Sequence, residues 1–325
     1  MAIQLKKAQR KRVKLKIGIS APSGGGKTAS ALILAYGLVK AEHPELSDEQ
    51  VWERIALVDT ENGSGELYSN GHIGQTDIGT YNVIELAPPF ETSKCIESIQ
   101  ACKEAGMEVC IIDSTSAFWQ GVGGLLEKQG NVAKRTNNSY TAWREVTPEY
   151  NRMIDAILQT DMHMICTVRS KTDYAQNKDE KGKTVIQKVG MAPVIRDGFE
   201  YELSLFLDLD TDHQAYVSKD RTGVLDGKYF VVTPDTGKKL VDWLDGAKPS
   251  DVKPEVVLEK ADKAPARTLD DVFADIKSSI AAKLNDGVAR DEIVDIVKTT
   301  CGFANYQKVA DIAVAEEVLA AVKAA

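Results

Sequence analysis

The segment APSGGGKT, residues 21–28, has the makings of an anion site. It follows the apolar run LKIGIS (15–20) and opens the helical pattern KTASALILAYGLVKAE (27–42). Gly24, Gly25 and Gly26 let the backbone curl so that successive N–H groups point at one spot. Those groups, with Ser23 before them and Ala29 behind, sit at a helix N-terminus whose partial positive charge favours phosphate. Lys27 is expected to reach the β- and γ-phosphates of a nucleoside triphosphate, and the Thr28 hydroxyl to ligate Mg²⁺. Ala21 stands where such loops usually carry glycine. Alanine is tolerable there if its backbone is not left-handed, since the glycines after it build the cradle. The bland alternative is a glycine-rich turn before an ordinary helix.

Hydrolysis needs carboxylates as well. The strand-like run EVCIIDS (108–114) ends on Asp113, where a Walker B aspartate would hold Mg²⁺ through Thr28 and water. Glu61, in IALVDTENG, follows another strand end and could orient and polarise an attacking water. A strand-ending Asp is also a common turn residue, and Glu61 also reads as an exposed loop acid.

The elements that must position these groups alternate. Apolar runs at 15–20, 54–59, 108–114 and 162–168 read as buried parallel strands, with helical stretches at 27–42, 91–106 and 147–161 between them. That order implies an α/β sheet with crossover helices. Segments 201–210, 214–220 and 228–233 read as an antiparallel extension. The division expected is a basic N-terminal arm at 1–13, a core at 14–245, a Pro- and charge-rich linker at 246–267, and a small all-helical module at 268–325.

Residues 1–16 carry seven Lys or Arg and no acid, although the chain has a formal net charge of −8. A basic arm on an acidic body could touch phosphate backbone or be only a solvated tail. The five cysteines form no CxxC pair and read as buried reduced thiols, and the four histidines show no metal spacing. No apolar run has membrane or signal-peptide length, so the expected location is the cytoplasm.

Taken in order, APSGGGKT, VDTENG, CIIDSTSAFW and ICTVRSK resemble the RecA-like branch of P-loop ATPases. The body at 14–245 resembles more closely the AAA-type ATPases encoded by many bacteriophages, through KVGMAPVIRDGFEYEL (188–203) above all. Those genes often lie beside single-strand annealing and single-strand binding proteins. The resemblance implies ATP and Mg²⁺ as ligands, Glu61 as the catalytic carboxylate and Asp113 as the Walker B residue. It gives Thr167, or Arg169 in its place, as the sensor of the γ-phosphate. YVSKDRTG (216–223) resembles the K-x-R-x-G segment of RecA-like hexameric helicases. Lys219 and Arg221 alternate along a strand and share a face. The resemblance makes them arginine-finger-like groups acting in a neighbouring subunit, which implies a homo-oligomer, ring or filament. A solvated basic strand end is the alternative.

Two stretches read as loops that could bind single-stranded DNA. The first, 120–145, carries Lys134, Arg135, Trp143 and Arg144; the second, 169–190, expected to be a hairpin turning near Lys181 and Gly182, carries Lys171, Tyr174, Lys181 and Lys183. Bases stack on rings while cations track phosphates. Packing between subunits explains such loops equally well. The reading is an oligomeric Mg²⁺-dependent ATPase acting on single-stranded DNA in phage recombination or replication, located in the host cytoplasm if phage-encoded. The alternative is an ATP-gated scaffold that recruits a recombination partner with little turnover.

Overall fold

The computed structural model describes residues 12–178, 184–246, 269–285, 288–303, 305–309 and 311–324. Of the arm read at 1–13 only 12 and 13 lie among them, and of the linker read at 246–267 only Gly246. Two compact units divide the chain, residues 1–256 and 257–325.

The larger unit begins with β1 (Lys16–Ala21), α1 (Lys27–Glu42), α2 (Asp48–Trp52) and β2 (Ile55–Asp59). A 3₁₀ turn (Ser64–Tyr68) and a small hairpin of β3 (His72–Ile73) and β4 (Thr76–Asp77) lead to β5 (Asn82–Glu85), α3 (Thr92–Glu104) and β6 (Val109–Asp113). Then come α4 (Ser116–Gln120), α5 (Leu125–Thr136), α6 (Ser139–Gln159), β7 (His163–Lys178), β8 (Thr184–Pro193) and α7 (Phe199–Glu202). The unit ends with β9 (Leu205–Leu209), β10 (Gln214–Asp220), β11 (Tyr229–Val231) and α8 (Pro234–Asp245).

The central sheet runs β5-β2-β6-β7-β1-β9-β10-β11, parallel from β5 to β9 and antiparallel beyond. Every residue of β1, β2 and β6 is buried, which is why they read as unbroken apolar runs. Alternate positions feed two cores. Ile17, Leu57, Ile111 and Ile165 pack with α1 and α8, while Val58, Ile112, Met164 and Cys166 pack with α3 and α6. Cys95 and Cys102 of α3 are buried in the second core as free thiols. Helices α1 and α8 cross where glycine meets glycine: a Cβ on Gly37 would lie 2.3 Å from the Pro234 carbonyl oxygen, and one on Gly237 2.5 Å from the Gly37 carbonyl carbon.

Two expectations change. Segment 201–210 is not an antiparallel strand throughout. Its start closes α7, capped by the left-handed Gly198, and β9 pairs parallel with β1 before β10 returns antiparallel. The stretch at 120–145 is mostly helix, not loop: it holds the last residue of α4, all of α5 and the start of α6, whose Ala142, Val146, Tyr150, Met153 and Ile157 form one buried stripe. At 169–190 the two arms of the expected hairpin are present, since β7 runs on to Lys178 and its polar half pairs antiparallel with β8; the turn read near Lys181 and Gly182 lies outside the described residues. Lys181 and Lys183 lie outside the described residues.

The smaller unit consists of α9 (Leu269–Asn285), α10 (Arg290–Cys301) and α11 (Ile312–Ala324), packed around Val272, Ile276, Val297, Val318 and Val322. Among the described residues no helix is long and apolar enough to cross a membrane.

At the start of β1 the Lys16 ammonium is buried and donates to the carbonyls of Thr160 and Met162, at 2.7 Å each. Burial pushes its pKa down to about 7. The unfolded chain therefore binds more protons than the folded one between about pH 7 and the ordinary lysine value, and stability rises with pH across that window. Chemical denaturation of the wild type between pH 7 and 9.5 should show this rise, on the order of a few kcal/mol. Lys16→Met should lose that slope, whatever its absolute stability.

Candidate functional site

The loop after β1 forms the expected cradle. Gly24 and Gly26 are left-handed, with φ of 78° and 81°, conformations that other residues rarely adopt. Gly26 caps the 16-residue helix α1 and leaves its first N–H groups facing the loop. Ala21 ends β1 in extended conformation, buried, with its methyl under Gly25, where an added Cβ would lie 2.9 Å away. The missing glycine is thus of no consequence. Within the cradle Ser23 is exposed, Ala29 half-buried and Lys27 buried.

Three strand ends converge beside it. The Thr28 hydroxyl donates to Asp113 Oδ2 at 2.5 Å, and the Thr167 hydroxyl donates to Asp113 Oδ1. Asp113 is buried, and that burial pushes its pKa up, against the hydroxyls of Thr167 and Thr28 that hold it down. A buried carboxylate and a hydroxyl with its lone pairs unspent make a hard oxygen donor set, the chemistry Mg²⁺ selects. The residues present therefore fit that ion.

Glu61 and Arg169 meet at the exposed rim. Arg169 Nε donates to Glu61 Oε1 at 2.9 Å, and a terminal guanidinium nitrogen lies at 2.9 Å from the same oxygen as an ion pair. The backbone of Glu61 is fixed by buried Asp59, whose carboxylate accepts from the N–H of Glu61 at 2.5 Å and of Gly65 at 2.9 Å. The Ser116 hydroxyl accepts from Arg169 N at 2.9 Å, and Tyr68 has its hydroxyl pKa raised by burial and by the charges of Asp113 and Glu61. Ser116 and Tyr68 were not legible as site residues, because only the folded sheet brings them near.

Lys219 lies in β10 next to a register shift, and Arg221 falls just past the end of that strand, yet both side chains reach one carbonyl. Lys219 Nζ donates to the carbonyls of Glu200 and Tyr201, and Arg221 donates to the Tyr201 carbonyl at 2.9 Å. Their level in the sheet matters. β10 runs antiparallel to β9, so Asp220 pairs with Leu205, which is level with Ile17 near the start of β1. The cradle follows the other end of β1, so the two cations sit at the opposite end of the sheet from the cradle of their own chain.

The residues proposed for nucleic acid are scattered among helices and the arm. Lys134, Arg144 and Lys171 are exposed; Arg135 pairs with Glu145 at 2.8 Å. The Trp143 ring is already occupied: it stacks on Trp119 at 5.6 Å, and the Arg196 guanidinium lies 5.9 Å from its centre. Tyr174 pairs with Lys188 across the arm. Elsewhere Glu42, His43 and Glu108 bring ligand-type atoms within 4.8 Å of one another, but both carboxylates already face cations, Arg12 and Lys14 on Glu42 and Arg54 on Glu108.

Among solved structures the chain is similar to a KaiC-like protein of the hyperthermophilic archaeon Pyrococcus horikoshii OT3, at 13% identity and a TM-score of 0.34, covering 66% of this chain and 89% of the other. No curated protein sequence matches it. A family model described as AAA domain matches residues 13–234, from just before β1 to the first residue of α8 and so across the whole sheet. Since that match takes in the cradle and every strand end that converges on it, the chain belongs to the AAA domain family of P-loop ATPases.

Proposed function

We propose that the chain binds ATP with Mg²⁺ in the 22–29 cradle and hydrolyses it as a homo-oligomer acting on single-stranded DNA, in phage recombination or replication. The observation that carries the reading is the convergence of Lys27, Thr28, Asp113 and Glu61 from separate stretches onto one end of the sheet. Lys27 contacts the terminal phosphates, Thr28 and Asp113 hold the ion, and Thr167 fixes Asp113 in orientation. Bound Mg²⁺ supplies charge neutralisation at the phosphate oxygens. Glu61 orients the attacking water, and Arg169, exposed beside it, contacts the γ-phosphate. Lys219 and Arg221, too far from their own cradle, complete a neighbour's site. DNA is held by Lys134, Arg144, Lys171 and the lysine-bearing arm that contains Tyr174. The helical module at 268–325 recruits a single-strand annealing or single-strand binding protein. ATP is the default nucleotide, since the sequence has no guanine-reading N-K-x-D segment.

A second reading, an ATP-gated scaffold with little turnover, is favoured by the engagement of Glu61 with Arg169 and of both distal cations with backbone carbonyls. The ATPase rate per subunit, followed against protein concentration with and without single-stranded DNA, separates the two. The expected result is a rate that climbs with concentration and rises further with DNA. A low rate indifferent to both, with tight ATP binding, would leave the scaffold.

A further inference from the structure

We propose that His213 is a nucleotide-binding residue, its imidazole forming a wall for the sugar–base end of the bound nucleotide; this rests on reading 22–29 as a triphosphate site. His213 lies in the turn between β9 and β10, far in sequence from the cradle but touching it. A Cβ placed on Gly26 would sit 2.9 Å from His213 Nδ1. The turn is built to present the ring. His213 adopts a left-handed backbone with φ of 61°, uncommon for a residue with a side chain. The Asp210 carboxylate locks the loop, accepting from the N–H of Asp212 at 2.8 Å and of Gln214 at 2.9 Å and from the Tyr229 hydroxyl. The ring itself is exposed and exchanges no hydrogen bond with any described residue.

Sheet order says which end of a nucleotide it meets. Glu61 follows β2, Asp113 ends β6 and Arg169 lies within β7, all on one side of β1. His213 comes from the β9–β10 turn on the other side. A triphosphate whose γ end faces the carboxylates must direct its nucleoside across β1 toward His213. An aromatic face there can stack on a base or cover the sugar.

Equilibrium binding of ADP and of inorganic pyrophosphate to the full chain tests this, in wild type, His213→Asn and His213→Phe. Asparagine tolerates the left-handed backbone but has no ring; phenylalanine keeps a ring without ring nitrogens. The expected result is an ADP affinity about tenfold weaker for His213→Asn, with pyrophosphate binding unchanged and His213→Phe close to wild type. Equal loss for both ligands would make His213 a phosphate contact and overturn the wall, as would no loss for either. A loss in His213→Phe matching that in His213→Asn would overturn it too. If wild type bound neither ligand, the cradle reading would fail first and this inference with it.

Discussion

Glu61→Gln is expected to lower the steady-state hydrolysis rate by a factor on the order of 10²–10⁴ while leaving nucleotide affinity within a few-fold, the signature of losing a general base. The substitution is nearly isosteric, and the amide oxygen can still accept from Arg169. The loop geometry set by Asp59 through the N–H groups of Glu61 and Gly65 involves no Glu61 side-chain atom. What is removed is the negative charge that the proposed mechanism uses to polarise water. Lys27→Ala should behave differently, because it deletes the phosphate contact and loses binding itself. Measuring nucleotide affinity and single-turnover hydrolysis on both variants separates the two roles. A Glu61→Gln protein that hydrolyses at the wild-type rate would remove Glu61 from the chemistry.

The cradle was legible because its chemistry is local: glycines, lysine and threonine are contiguous, and the left-handed residues must be glycine. Asp113 was legible because a buried strand ends on it. What joins them was not. The Thr167–Asp113 contact spans 54 residues and the contact of His213 with Gly26 spans far more, so no spacing rule reaches them. Order in the sheet decides both, and strand order leaves no mark on a run of apolar residues. The misread stretch at 120–145 has a more particular cause. Its glycines and asparagines suggest a loop, and Pro148 suggests a helix start, yet the Ala142–Val146–Tyr150 stripe carries the helix back through the proline to Ser139. Burial of that stripe outweighs one lost backbone hydrogen bond. The parallel pairing of β9 was hidden likewise, since an edge shared between β1 and β10 looks the same from either side.

Arg221→Ala should depress hydrolysis by a factor on the order of 10³–10⁵ in the assembled protein, the usual contribution of an arginine finger. The expectation rests on position: the Arg221 N–H donates to the Ser204 carbonyl, level with the start of β1, whereas the cradle of the same chain follows the other end of that strand. Lys219 shares its anchor. Both side chains reach the Tyr201 carbonyl, and the Lys219 pKa is lowered by partial burial and then by the neighbouring Arg221 charge. The Glu200 and Glu202 carboxylates act on Lys219 in the opposite sense, and an incoming phosphate would give both cations an anionic partner in place of backbone carbonyls. The decisive measurement mixes inactive proteins. Arg221→Ala subunits keep Glu61, and Glu61→Gln subunits keep Arg221, so a mixed assembly contains sites in which an intact carboxylate faces an intact neighbouring arginine. Activity should reappear on mixing and be absent from either variant alone. Arg221 acting within its own chain could give no such recovery, because no subunit in the mixture carries both groups.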